Sequence, residues 1–122
     1  DKSTIDRSDD TVANFSSRGP TIDGINKPDL VTPGVNIISL RSPGSYLDYT
    51  NRISRVDANY ISLSGTSMAT PICAGIVAQL LQKEPYLTTN EVKEKLINAC
   101  TDMGQPPNVQ GNGYLNAENL LE

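Results

Sequence analysis

The chain has 122 residues, enough for one domain that buries a core, with a net charge of −4 and a pI near 4.7. Its ten Lys and Arg are scattered among fourteen Asp and Glu with no stripe to follow a phosphate backbone, which argues against nucleic acid as a partner. No apolar run nears the roughly 20 residues needed to cross a bilayer. The polar opening Asp1-Lys2-Ser3-Thr4 is unlike a signal peptide, so a cytoplasmic protein is expected ahead of a secreted one.

Residues 1–11 mix Asp1, Asp6, Asp9 and Asp10 with Lys, Arg, Ser and Thr, and are expected to form a solvated surface loop. Tight turns follow at Ser16-Ser17-Arg18-Gly19-Pro20 and Asn26-Lys27-Pro28-Asp29, and Pro33-Gly34 breaks the chain again. The β-branched run Val35-Asn36-Ile37-Ile38-Ser39-Leu40 predicts a strand. Residues 41–58 are charged and aperiodic, which predicts an exposed loop or irregular ribbon. Tyr60-Ile61-Ser62-Leu63-Ser64 alternates with period two, as a strand does, and runs straight into Gly65.

From Ser67 to Lys83 the apolar positions Met68, Ile72, Ile76, Val77, Leu80 and Leu81 recur at three and four, while Ala69, Ala74 and Ala78 fill much of the other face. This predicts a long helix, apolar nearly all round and therefore buried, with Pro71 tolerated in its first turn. Glu84-Pro85 ends it. Thr88 and Glu91 form a capping box for a second helix over residues 89–99, with Val92 and Leu96 inward, and Asn116 can cap a last short helix through Leu121. Cys73 and Cys100 lack metal-type spacing and are expected to be packed free thiols rather than a disulfide. Asn14-Phe15-Ser16 matches a glycosylation acceptor, a tripeptide too common to carry weight.

A strand, a glycine turn and a helix whose first turn carries a serine is a recurring setting for a nucleophile, because unpaired amides and the positive end of the helix dipole stand where an oxyanion would develop. Local pattern alone favours Thr66 or Ser67 as a simple helix cap, since a capping serine is commoner than a catalytic one. A serine also needs a base to take its proton, usually histidine, and the chain has none.

The heptapeptide Gly65-Thr66-Ser67-Met68-Ala69-Thr70-Pro71, followed by Ala74-Gly75, resembles the nucleophile signature of the subtilisin-like serine proteases. Phe15-Ser16-Ser17-Arg18-Gly19-Pro20, Lys27-Pro28-Asp29-Leu30-Val31-Thr32-Pro33-Gly34 and Gly111-Asn112-Gly113 with Asn116-Ala117 resemble further segments of that family in the expected order. The resemblance implies that residues 1–122 are the C-terminal part of a subtilisin-like catalytic domain. The fold would be α/β, with a few strands in a partly parallel sheet leading into a long buried nucleophile helix and two further helices. The family's aspartate, histidine and oxyanion asparagine would lie upstream.

Carried onto this chain, the resemblance makes Ser67 the nucleophile and its amide part of the oxyanion hole, with Thr66 in support and Met68 on the leaving-group side. Thr32 stands where the family usually has alanine, and Ile72 where it often has a histidine outside the triad. Asp29 resembles a carboxylate that helps hold a weak cation in some members, although an Asp beside Pro is also a common turn former. The resemblance thus implies no required cofactor, with a structural calcium as the one candidate metal in the longer enzyme.

The function expected is a serine endopeptidase acting on protein or peptide substrates. A non-catalytic subtilisin-like pseudoenzyme or peptide-binding module is the alternative, and an unrelated α/β domain with a capping Ser67 is a third reading. Because few elements are available to cover an all-round apolar helix, the chain is expected to pair with the missing N-terminal part of its domain or to self-associate.

Overall fold

The structure, a computed structural model, describes residues 7–122. The first six positions of the expected surface loop therefore lie outside the described residues, and the remainder turns back at once, the Asp10 amide donating to the Arg7 carbonyl at 3.1 Å.

Strand β1 (Ile37–Leu40) pairs antiparallel with β2 (Tyr60–Leu63), Ile37 opposite Leu63 and Leu40 opposite Tyr60. A second antiparallel pair joins β3 (Cys100–Thr101) to β4 (Tyr114–Leu115). The parallel part of the expected sheet is confined among the described residues to a bridge between Val31 and Tyr114, where the Val31 amide donates to Gly113 and the Leu115 amide to Val31, both at 3.0 Å.

Residues 41–58 depart from the irregular ribbon expected of them. They hold helix α1 (Tyr46–Thr50), capped by the Ser45 hydroxyl, and a 3-10 turn (Arg52–Ser54). The organising group is Asp48, whose side chain is only 3% exposed. Its Oδ1 accepts from Arg41 Nε at 2.5 Å and Arg55 Nε at 2.6 Å, and its Oδ2 from Arg55 Nη2 at 2.8 Å, Gly44 N at 3.0 Å and Arg41 Nη2 at 3.1 Å. Two guanidinium forks thus fill one carboxylate, an arrangement that satisfies a buried charge and carries no hydrophobic period.

The same contacts set the pH response. The Arg41 guanidinium, then Arg55, holds the Asp48 carboxyl far below the usual carboxylate range, and Lys27 at Asp29, Thr88 at Glu91 and Gln110 at Asp102 act in the same direction. A carboxyl whose folded pKa is depressed contributes stability that is complete above its unfolded value of about 4 and is lost as pH falls toward the folded value. Burial raises the Cys73 and Cys100 thiols, so their contribution is complete below about 8.5 and is lost as pH rises through the folded value. With no histidine to titrate between, stability from urea unfolding is expected to be flat from about pH 5 to 8 and to fall on either side. A step near pH 6 to 7 would contradict this.

Helix α2 (Thr66–Lys83) begins one residue earlier than expected and is followed by α3 (Thr89–Asn98), which carries the full Thr88–Glu91 capping box. The Thr88 amide donates to Glu91 Oε2 at 2.7 Å, and the Glu91 amide to Thr88 Oγ1 at 3.4 Å. A short helix α4 (Pro107–Gln110) precedes β4, and α5 (Ala117–Leu121) follows it, with the Asn116 side chain accepting from the Glu118 and Asn119 amides. Because α2 starts at Thr66, Pro71 is its sixth residue and not part of the first turn. It therefore removes a working donor, and the Ser67 carbonyl has no amide to accept from one turn later.

Leu96, Ala99 and Leu115 form the buried cluster, with Leu30, Cys73, Ile76, Val77, Val92, Cys100 and Leu120 packed around it. Both cysteines are free and partly buried, as expected. Helix α2 is not enclosed: Leu80 alone on it is fully buried, at 0% exposure, while Ala74, Gly75 and Ala78 face solvent. On the β1–β2 side, Ile38, Leu40 and Tyr46 are 60%, 77% and 84% exposed. The elements in hand cover one side of the helix, and apolar surface stays open on the other.

Candidate active site

The turn from β2 into α2 is held by backbone contacts that only glycine allows. Gly65 has φ 156° and ψ 164°, a region essentially closed to residues with a Cβ. Its amide donates to the Gly34 carbonyl at 2.8 Å, and its carbonyl accepts from the Met68 amide at 3.0 Å and the Ala69 amide at 3.2 Å. Gly34 is required for the approach, since a Cβ there would lie 2.9 Å from the Gly65 carbonyl oxygen and 3.1 Å from Ala69 Cβ. One residue pair further out, the Asn36 amide donates to Ser64 Oγ at 2.8 Å.

Gly65 is the residue that caps α2, and it does so without a side-chain hydrogen bond. The capping reading of Thr66 and Ser67 is thereby removed. Both residues are exposed in the first turn, and among the described residues neither hydroxyl has a hydrogen-bond partner. The amides of Thr66 and Ser67 have no acceptor either, as the first amides of any helix lack one. An exposed hydroxyl beside unpaired N–H groups at the positive end of an 18-residue helix is a place where negative charge on oxygen can be stabilised. Met68 is half-buried beside the turn, its sulfur 3.6 Å from where a Cβ on Gly65 would stand.

Two clefts meet at this turn. One, of about 1070 Å³, includes Gly65, Thr66, Thr70 and Phe15 in its walls. The other, of about 490 Å³, runs from Ser67 and Met68 along Ile72 and Ile61 to Leu40 and Leu47. Leu47 belongs to α1, in the stretch for which the sequence predicts an exposed loop or irregular ribbon.

Asp29 also lines the larger cleft, and its carboxylate is occupied. Its Oδ2 is bonded to Lys27 Nζ at 2.5 Å and its Oδ1 to Lys93 Nζ at 2.9 Å, while its backbone carbonyl accepts from the Asn112 amide at 2.9 Å and Asn112 Nδ2 at 2.8 Å. A carboxylate with an ammonium on each oxygen is a poor cation ligand, and among the described residues no group of three or more His, Cys, Asp or Glu is placed to hold a metal. Asp29, the weak candidate for a calcium in the longer enzyme, thus has an ammonium on each carboxylate oxygen.

Nothing in residues 7–122 supplies a base for Ser67, so the site is one component of a larger arrangement or none at all. Comparison with known proteins gives the family of the chain. The sequence matches the Subtilase family, peptidase S8, over residues 3–113. The chain belongs to the subtilase family. This subtilase chain is 59% identical over 122 residues to the serine protease AprX of Bacillus subtilis (strain 168), covering 99% of the chain and 28% of the relative. It is 36% identical over 118 residues to the minor extracellular protease Vpr of the same organism, covering 91% of the chain and 14% of Vpr. Among solved structures it superposes on fervidolysin from Fervidobacterium pennivorans, a keratinolytic enzyme related to subtilisin, with a TM-score of 0.69 and 30% identity over 89% of the chain and 16% of that enzyme. The subtilase chain thus spans less than a third of the length of these relatives. No helix among the described residues is long and apolar enough to cross a membrane. An extracellular protease among the relatives gives the cytoplasmic expectation no support.

Proposed function

We propose that this subtilase chain is the nucleophile-bearing C-terminal part of a serine endopeptidase domain, and that Ser67 forms the acyl-enzyme. The observation that carries the reading is the exposed Ser67 hydroxyl, unengaged beside its own unpaired amide at the start of α2. In the reaction, Ser67 Oγ attacks the peptide carbonyl carbon while a histidine upstream in the domain takes its proton. The carbonyl oxygen becomes an oxyanion, which the Ser67 amide and an upstream asparagine stabilise, with Thr66 in support. The tetrahedral adduct collapses, the C–N bond breaks, and the histidine returns its proton to the leaving amine past Met68. Water then attacks the ester by the same route and frees Ser67.

The substrates are proteins or peptides, and the upstream part of the same domain is the partner that covers the two clefts. The 122-residue chain by itself is inactive on this reading. A fluorophosphonate probe is expected to label Ser67 in the full-length protease and to leave the isolated chain unlabelled. Rapid labelling of the isolated chain would show that its partners do not lie elsewhere. The isolated chain, with Leu40, Tyr46 and Ile53 exposed, is expected to self-associate. A clean monomer in light scattering over a wide concentration range would count against that.

A further inference from the structure

We propose that Thr32 is a positioning residue for the nucleophile, through a hydrogen bond to the first turn of α2. Its hydroxyl donates to the Ala69 carbonyl at 2.8 Å across 37 residues of sequence, from a partly buried position. Ala69 lies two residues beyond Ser67, and its amide already donates to the Gly65 carbonyl at 3.2 Å. Ala69 is therefore held at both ends, by the turn behind it and by Thr32 across from it.

The neighbouring contacts make this a brace along the turn. Within residues 32–36, Gly34 accepts from the Gly65 amide and the Asn36 amide donates to Ser64 Oγ. Those two bonds hold the entry to the helix, and Thr32 alone in this segment bonds to the helix itself beyond Ser67. The helix lacks one of its internal bonds at this point. Pro71 leaves the Ser67 carbonyl without its amide partner, so the first turn has one fewer bond tying it to the second. A side-chain donor on the Ala69 carbonyl compensates by fixing the turn against a different part of the chain. Displacement of a reacting atom by a fraction of an ångström is costly in a preorganised site, so a bond of this kind acts on the rate without touching substrate.

The inference rests on the proposed role of Ser67, and the test has one arm that does not. Thr32→Val keeps the shape and removes the hydroxyl, whereas Thr32→Ser keeps the hydroxyl. In the full-length protease, Thr32→Val is expected to lower kcat and the rate of fluorophosphonate labelling by roughly 3- to 10-fold, the worth of one hydrogen bond, with KM unchanged. Thr32→Ser is expected to recover most of the loss. In the full-length protease, amide hydrogen exchange at Met68 and Ala69 is expected to quicken by a similar factor in Thr32→Val and to stay close to wild type in Thr32→Ser. Unchanged exchange at these amides in Thr32→Val overturns the proposal, whatever becomes of the activity. So does a Thr32→Ser variant as impaired as Thr32→Val, or a loss confined to KM. If the full-length protein does not react at Ser67 while the exchange arm behaves as expected, the brace stands and the reading of Ser67 fails.

Discussion

Ser67→Ala in the full-length protease is expected to lower kcat by about 10^6-fold, the figure obtained by removing a triad serine from a subtilisin, with substrate binding and thermal stability close to unchanged. The small effect on the fold follows from the setting of Ser67. Its side chain is exposed, has no hydrogen-bond partner among the described residues and does not cap α2, because Gly65 does. A serine kept for packing or capping would give the reverse pattern, with a loss of about 1 kcal/mol in stability and no effect on turnover. Steady-state kinetics on a peptide substrate, with unfolding of the same samples, separates the two. A Ser67→Ala protease with more than about a hundredth of wild-type kcat would show that the acyl-enzyme forms elsewhere.

Leu80→Ala is expected to have the largest effect on folding, a loss of about 2 to 5 kcal/mol. Leu80 is the one large side chain among the described residues at 0% exposure, on α2, which packs against α5. A chain of this size with α2 partly open has little stability to spare, so the variant is expected to lose its cooperative urea transition or to move it far toward zero denaturant. Ile53→Ala is the control. Ile53 is 102% exposed, and its replacement is expected to change stability by no more than about 0.5 kcal/mol. Equal shifts from the two replacements would mean that the packing around Leu80 is not what holds the chain together.

These expectations differ in where they could be read. The capping box at Thr88 and Glu91, the Asn116 cap and the strand leading into Gly65 were legible in the sequence, because each depends on residues within a few positions of one another. Asp48 was not legible. Its partners Arg41 and Arg55 each stand seven residues away, a spacing that would gather all three on one helix face, but no single helix spans residues 41–55, so only the folded loop brings the guanidinium groups together. Pro71 falls beyond the first turn, and the start of α2, one residue earlier than expected, is set by Gly65 and its contact with Gly34, 31 residues earlier in the chain, and not by the first apolar residue of the period.

The sequence by itself determined the family to which residues 65–71 point and the long apolar helix that they open, since a rare local order of residues and a helical period are properties of neighbours along the chain. Tertiary structure alone decided three things. Ser67 is free rather than capping, the two oxygens of Asp29 are taken by Lys27 and Lys93, and Thr32 reaches the carbonyl of Ala69. Except for the Lys27 contact, each depends on groups dozens of residues apart, and such contacts come from the path of the backbone, which no local pattern encodes.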